Sequence, residues 1–204
     1  MENSCALIIR GFPHCNDMKD TRGNVISYEL NDYSDNVQKC LLEPLKQQYK
    51  VVDVYVFSNS VLTNEEKDFF SPVYIHQYDG LESTQLHKLC DMCTFVPKLY
   101  SYYVVHRFDV LYKYSLSFSN PKSTVVAPYR QNKHMSNIRW GLIHPLWNDV
   151  YFEIPSKHML VFIDILQEQI RRKPKYHLML HGVYRIYLER NIPVHFIHDG
   201  MYNI

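Results

Sequence analysis

Long hydrophobic runs are absent from this chain: no apolar stretch reaches the ~18 residues that a membrane-crossing helix needs. A basic leader is absent too, since Glu2 stands where a secretory signal would carry positive charge. These absences lead to the expectation of a cytoplasmic protein with no membrane partner. Glycine and proline are sparse, at 6 and 10 residues, which excludes low-complexity chains. No segment is rich enough in Gly, Ser or Pro to act as a linker, and no repeat divides the chain. Charge of one sign is lacking as well. The 22 Lys and Arg against 21 Asp and Glu give a net +1, too weak a field to gather a phosphate backbone, so nucleic acid is not an expected partner. The one dense basic run, Arg171-Arg172-Lys173 with Lys175, lies beside Pro174, where a solvated helix end accounts for it.

Cysteine usage points the same way. Cys5, Cys15, Cys40, Cys90 and Cys93 are odd in number and unevenly spread, which suits a reducing compartment better than a disulfide scaffold. Cys90 and Cys93 form a C-x-x-C, but no second pair follows at zinc-finger spacing, so a helical face is the simpler account.

What the chain does have is apolar and aromatic mass: 46% hydrophobic residues, with 17 Tyr and 10 Phe. Its 204 residues suffice for one well-packed domain over positions 1–204. The sequence stops a few residues beyond the last expected strand, which leads to the expectation of a catalytic domain excised from a longer protein. Tyrosine, apolar in body and polar at its tip, can line a groove for sugars or bases, or can simply fill a core.

The hydrophobic pattern alternates strands with helices. Cys5 to Arg10 reads as a first, central strand stopped by Gly11-Phe12-Pro13. Val37, Cys40, Leu41 and Leu45 recur at helical spacing within Ser34 to Tyr49, with Pro44 expected to disturb the later turns. Val51 to Phe57 is the next strand, which completes a parallel crossover unit. Val73 to His76 is a short strand, Ser83 to Phe95 a helix capped by Ser83 or Thr84, and Tyr102 to His106 a further strand. Thr124 to Ala127 repeats the β pattern, and Tyr129 to Arg139 has the composition of a mobile loop. Trp147 to Phe152 is strand-like, Ser156 is placed to cap a helix through Arg172, Leu178 to Arg190 is the last helix, and Val194 to Ile197 the closing strand. The expected class is α/β, a mostly parallel twisted sheet flanked by helices.

The chemistry concentrates at one strand tip. Tyr102-Tyr103-Val104-Val105-His106 is followed at once by Arg107-Phe108-Asp109, which fixes two opposite charges on a rigid element. Ligands of open α/β sheets collect outside the carboxyl ends of the strands, where a carboxylate can grip a divalent metal and a guanidinium can face phosphate oxygens. An ion pair that merely caps the strand end is the competing reading.

Taken together, Ile8-Ile9-Arg10-Gly11, Val52-Asp53-Val54-Tyr55-Val56-Phe57, Val105-His106-Arg107-Phe108-Asp109 and Asn148-Asp149-Val150-Tyr151-Phe152 resemble the GT-A-type glycosyltransferases, nucleotide-sugar-dependent enzymes on one Rossmann-like sheet. The likeness is to small soluble modules, including those that large algal viruses encode to decorate a capsid glycoprotein. It spans nearly the whole chain, through motifs that are each short. The resemblance implies a transferase of glycan biosynthesis that moves a sugar from a nucleoside diphosphate, a UDP-sugar by preference, to a glycan or glycoprotein acceptor such as a viral capsid protein. It implies a retaining, metal-assisted reaction, and the host cytoplasm as location if the gene is viral.

In that class a D-x-D motif binds the cation that bridges the donor diphosphate. Arg107-Phe108-Asp109 keeps the second carboxylate and has arginine in place of the first, so Asp109 is the implied ligand of Mn²⁺ or Mg²⁺, and Arg107 is placed to share the electrostatic work. His198 matches a histidine that many such enzymes bring to the metal, with His195 as the alternate. Arg10 and Gly11 meet the nucleotide at the first strand's end. Asp79, in Tyr78-Asp79-Gly80, is a second carboxylate for the nucleotide region or a turn residue. Asp149 is assigned to the acceptor, as general base or sugar-hydroxyl anchor, with a helix or turn cap as its structural alternative. His181 is a further candidate for a bound sugar, and Trp140 or Trp147 either stacks on a pyranose or fills the core. Two other functions compete: a metal-dependent phosphoesterase or nuclease using Asp109 with His106, His195 or His198, and a non-catalytic module on the same sheet.

Overall fold

The computed structural model describes residues 3–19, 25–78, 84–118, 123–130, 146–147, 151–172, 181–198 and 202–203. Its spine is strand β1 (Ser4–Gly11), which is buried from Ser4 through Arg10. A strand without a polar alternation needs partners on both edges and a layer on each face, and β1 has them. It pairs in parallel with β4 (Val51–Ser58) on one edge and with β6 (Tyr102–Arg107) on the other. Strand β5 (Tyr74–Gln77) extends the β4 side, and β10 (Tyr151–Pro155), β8 (Val125–Arg130) and β11 (Val194–His198) extend the β6 side. Numbering these seven strands by chain order gives 3-2-1-4-6-5-7 across the sheet. Only β10 runs against the rest, pairing antiparallel with β6 and β8, and the two-residue β9 (Leu146–Trp147) adds to β8 off the main path. The protein is therefore α/β, with a mostly parallel central sheet.

Side-chain parity sorts the layers. Ala6 and Ile8 of β1 point to a core shared with α4 (Gln85–Phe95), α5 (Ser156–Arg171) and α6 (His181–Glu189). Cys5, Leu7 and Ile9 point to the opposite core, shared with α1 (Leu30–Val37), a π-helical turn over Gln38–Leu42, α2 (Glu43–Gln48) and α3 (Asn64–Phe70). Two small antiparallel ribbons complete the fold: β2 (Cys15–Lys19) with β3 (Val25–Tyr28), and β7 (Leu111–Tyr112) with β12 (Tyr202–Asn203). Among the described residues no helix is long and apolar enough to cross a membrane.

The expected disturbance at Pro44 has a definite form. Pro44 has no N–H, so the carbonyl four residues earlier, on Cys40, has no helical donor. The chain widens into the π-helical turn just before α2, and the Cys40 carbonyl accepts instead from the backbone N–H of Leu116 at 2.9 Å. Nearby, the Asn36 side chain brackets Tyr112, accepting from its N–H at 2.7 Å and donating to its carbonyl at 2.8 Å. Both contacts pin the segment that follows Asp109.

Other boundaries differ from expectation in instructive ways. Thr84 caps α4, its hydroxyl accepting from His87 N–H. The cap of α5 is Pro155, so Ser156 is the first helical residue. The expected loop from Tyr129 begins inside β8, and its remainder, 131–139, lies outside the described residues. Helix α3 and both small ribbons have no counterpart in the sequence-based expectation.

Candidate functional site

Strands β1, β4 and β5 build outward on one side of β1 while β6 opens the other, so the topological switch point lies between the carboxyl ends of β1 and β6. Register puts Arg10 and Arg107 side by side there, as Cα partners on adjacent parallel strands. Parity decides where they point. Arg10 follows Ala6 and Ile8, and Arg107 follows Tyr103 and Val105, all four on the α4–α5 face. Both arginines therefore project at the sheet's upper edge toward the same helical layer, across from α4.

Backbone hydrogen bonds knit this edge together. Phe108 N–H donates to the Arg10 carbonyl at 3.2 Å, and Asn59 N–H donates to the Gly11 carbonyl at 2.9 Å. Gly11 turns the chain away with φ +109°, a conformation that only glycine adopts without strain. The loop it enters is held from outside, because the Tyr28 hydroxyl donates to the Phe12 carbonyl at 2.7 Å and the Tyr33 hydroxyl to that of Pro13 at 2.8 Å.

A cavity of about 260 Å³ opens over these tips. Arg10, Gly11, Arg107 and Asp109 form its floor, and Gln85, Lys88 and Met92 on one stripe of α4 form a wall with Asn59. Met18, Ile26 and Tyr28 of the β2–β3 ribbon form an apolar upper rim. Burial, and then the nearby Asp109 carboxylate, push the Tyr28 phenol well above its ordinary range, so it stays a neutral donor.

Three of the lining side chains are cationic and one, among the described residues, is anionic. Arg10 is 4% exposed. Arg107 grips Asp109 with a two-pronged contact: its Nε donates to Oδ1 at 2.8 Å and its Nη2 to Oδ2. Lys88 is 7% exposed, and its partners among the described residues are neutral: Nζ donates to the Asn59 side-chain oxygen at 2.8 Å and sits 4.9 Å from the centre of the Tyr78 ring. Burial lowers the Lys88 pKa from its ordinary value. Lys88 and Asn59 are absent from the sequence-based set. Gln85, Lys88 and Met92 recur at helical spacing, but that spacing alone does not mark Lys88 as buried.

His106 takes no part in this cavity. Its parity is opposite to that of the arginines, so it lies on the other face, fully buried, with Nδ1 bonded to the Tyr112 hydroxyl at 2.7 Å. Burial pushes its pKa down to about 3. A sealed neutral imidazole cannot meet substrate, which removes His106 from the hydrolase alternative.

The remaining candidates spread out. Asp79 and Asp149 lie outside the described residues, as does Trp140. His198 ends β11, three strands from β6 and therefore roughly 14 Å away along the sheet. His195, on the same strand, is exposed. His181 opens α6 next to Gly182, where an added methyl would meet the Gln169 side-chain nitrogen of α5 at 2.0 Å. Gly182 thus serves close helix contact. A second depression, of about 270 Å³, is lined by Glu29, Glu65, Glu66 and His14, a setting that repels phosphate. Glu66 is already engaged there, capping α3 with Thr63 and pairing with His14 at 3.0 Å.

No protein-family model matches the chain, and no curated protein sequence matches it. The resemblance implied a Mn²⁺ or Mg²⁺ at Asp109, and the donor set bears on this directly. Both Asp109 oxygens are held by Arg107, and the described residues contain no group of three His, Cys, Asp or Glu side chains able to hold a metal ion. Mg²⁺ binds through one or two carboxylates and completes its shell with waters and substrate phosphates; among the described residues the cavity offers one carboxylate, Asp109, already paired with Arg107.

Proposed function

We propose that the protein is a glycosyltransferase of the GT-A type, transferring a sugar from a nucleoside diphosphate donor, a UDP-sugar by preference, to a glycan or glycoprotein acceptor. The observation that carries this reading is the switch-point cavity in which Arg10, Lys88 and Arg107 converge beside Asp109. A pocket with that balance of charge selects a compact polyanion, and preorganised cations stabilise the diphosphate as negative charge develops on it. Phe12 and Tyr28 offer aromatic surface to a base, and Met18 and Ile26 give the opening an apolar rim.

In the reaction, the acceptor hydroxyl oxygen bonds to the anomeric carbon. The bond from that carbon to the donor phosphate oxygen breaks, its electron pair leaves with the diphosphate, and the hydroxyl proton passes to a base. Asp149 is the residue assigned to that base or to holding the sugar hydroxyls. Retention of anomeric configuration belongs to the same reading and is scored by the product's anomeric proton coupling.

A panel of nucleotide sugars, assayed for released nucleoside diphosphate, tests the proposal. Uridine diphosphate sugars are expected to give slow release without acceptor, well above an enzyme-free blank. Release from no donor, together with cleavage of simple phosphate esters or DNA, would replace the transferase reading with the hydrolase one.

A further inference from the structure

Resting on the donor-site reading above, we propose that this cavity neutralises a diphosphate with protein cations alone, Arg10, Lys88 and Arg107, and that Asp109 is the partner of Arg107 and not the ligand of a divalent cation. Two independent features of the cavity carry this.

The first is the geometry of Asp109. The guanidinium of Arg107 spans both oxygens of Asp109 in the planar, two-pronged fit that arginine makes with carboxylates, so a cation bridging Asp109 to phosphate would have to use the remaining lone pairs, beside that guanidinium. A dication there would lie against Arg107 and face the neighbouring Arg10 and Lys88, three positive charges in one cavity. The pair instead orients Arg107, holding its Nε edge against Asp109 at the cavity floor.

The second is Lys88. Buried charges are ordinarily matched by an opposite charge, yet Lys88 is 7% exposed in a cavity wall with an amide oxygen and a tyrosine ring as its partners among the described residues. Holding a cation this way costs stability unless an anion arrives to match it. Lys88 also sits in the first turn of α4, eleven residues long, whose N-terminal dipole adds positive potential at the same wall. Three cations less the Asp109 carboxylate leave two net positive charges, which with the helix N-terminus match the two negative charges on the diphosphate of a nucleotide sugar without a metal.

Calorimetric titration of uridine diphosphate, once in EDTA and once in Mn²⁺, decides the matter. Affinity is expected to agree within about threefold between the two conditions, and Lys88→Met is expected to weaken binding in EDTA by roughly 10-fold or more, the worth of a charge-assisted hydrogen bond. The same substitution is expected to raise the melting temperature of the ligand-free protein, because it removes a buried cation. Should Lys88→Met fail to fold, Lys88→Gln serves the same purpose. Binding in Mn²⁺ but not in EDTA would overturn the metal-free inference and leave the transferase reading standing. Binding in neither condition would overturn both.

Discussion

Replacing Arg107 by methionine is expected to weaken uridine diphosphate binding by roughly 100-fold, while Asp109→Asn leaves it within about threefold of wild type. The asymmetry follows from the pairing at the cavity floor. Loss of the guanidinium removes a charge-assisted donor, worth on the order of 1.5–3 kcal/mol. It also leaves the Asp109 carboxylate, which is 24% exposed, facing the incoming phosphates with no counter-charge from its partner. Both effects act against the anion. In Asp109→Asn the repelling charge is gone and Arg107 turns more of its donors to phosphate, offsetting any loss of orientation. The double variant Arg107→Met with Asp109→Asn is expected to recover part of the lost affinity, because it removes the repulsion and keeps only the missing donor. Were Asp109 a metal ligand, the order would reverse, with Asp109→Asn the more damaging change.

The second large effect is on stability. His106 is expected to make the protein lose about 2 kcal/mol between pH 7 and pH 5. Its folded pKa is depressed to about 3, by burial first, against the opposing Asp109 carboxylate and with help from the Arg107 and Arg10 charges. An unfolded histidine titrates near 6.5. Between those values the unfolded chain binds the proton and the folded protein refuses it, so stability is complete above about pH 6.5 and declines as pH falls toward 3. In His106→Asn, whose amide retains a partner for the Tyr112 hydroxyl, the loss between pH 7 and pH 5 should shrink by about that 2 kcal/mol in urea titrations. An unchanged slope would assign the acid sensitivity to other groups.

Strands β1, β4 and β6 were legible because burial on both faces writes them as unbroken apolar runs, and β1 shows this from Ser4 to Arg10. The β2–β3 ribbon was not: Cys-Asn-Asp-Met-Lys lacks an apolar face, and the strand is held by its partner and by Asp17 N–H donating to the Ser27 hydroxyl. Helix α3 carried its signal in plain view, since Thr63 and Glu66 form a capping box just ahead of Phe69 and Phe70. Arg10, Gly11, Arg107 and Asp109 could be picked out because strand ends are where such sheets hold ligands. The resemblance already brought them to one diphosphate, but the side-by-side alignment of Arg10 with Arg107 depends on parallel register, and strand alternation puts His106 on the far face. Lys88 was hidden for a related reason. On an isolated helix a lysine reads as solvated, and only the packing of α4 over the sheet turns it into a cavity wall.

Photolabelling with an azido-uridine diphosphate, followed by mass mapping of the modified peptides, asks where the nucleotide sits. The label is expected on the β1 end and the β2–β3 ribbon, residues 10–19 and 25–28, and on the first turns of α4 around Lys88, with protection by excess uridine diphosphate. Protectable labelling confined to the acidic depression around Glu29 and Glu65, or to the β11 edge, would contradict the account.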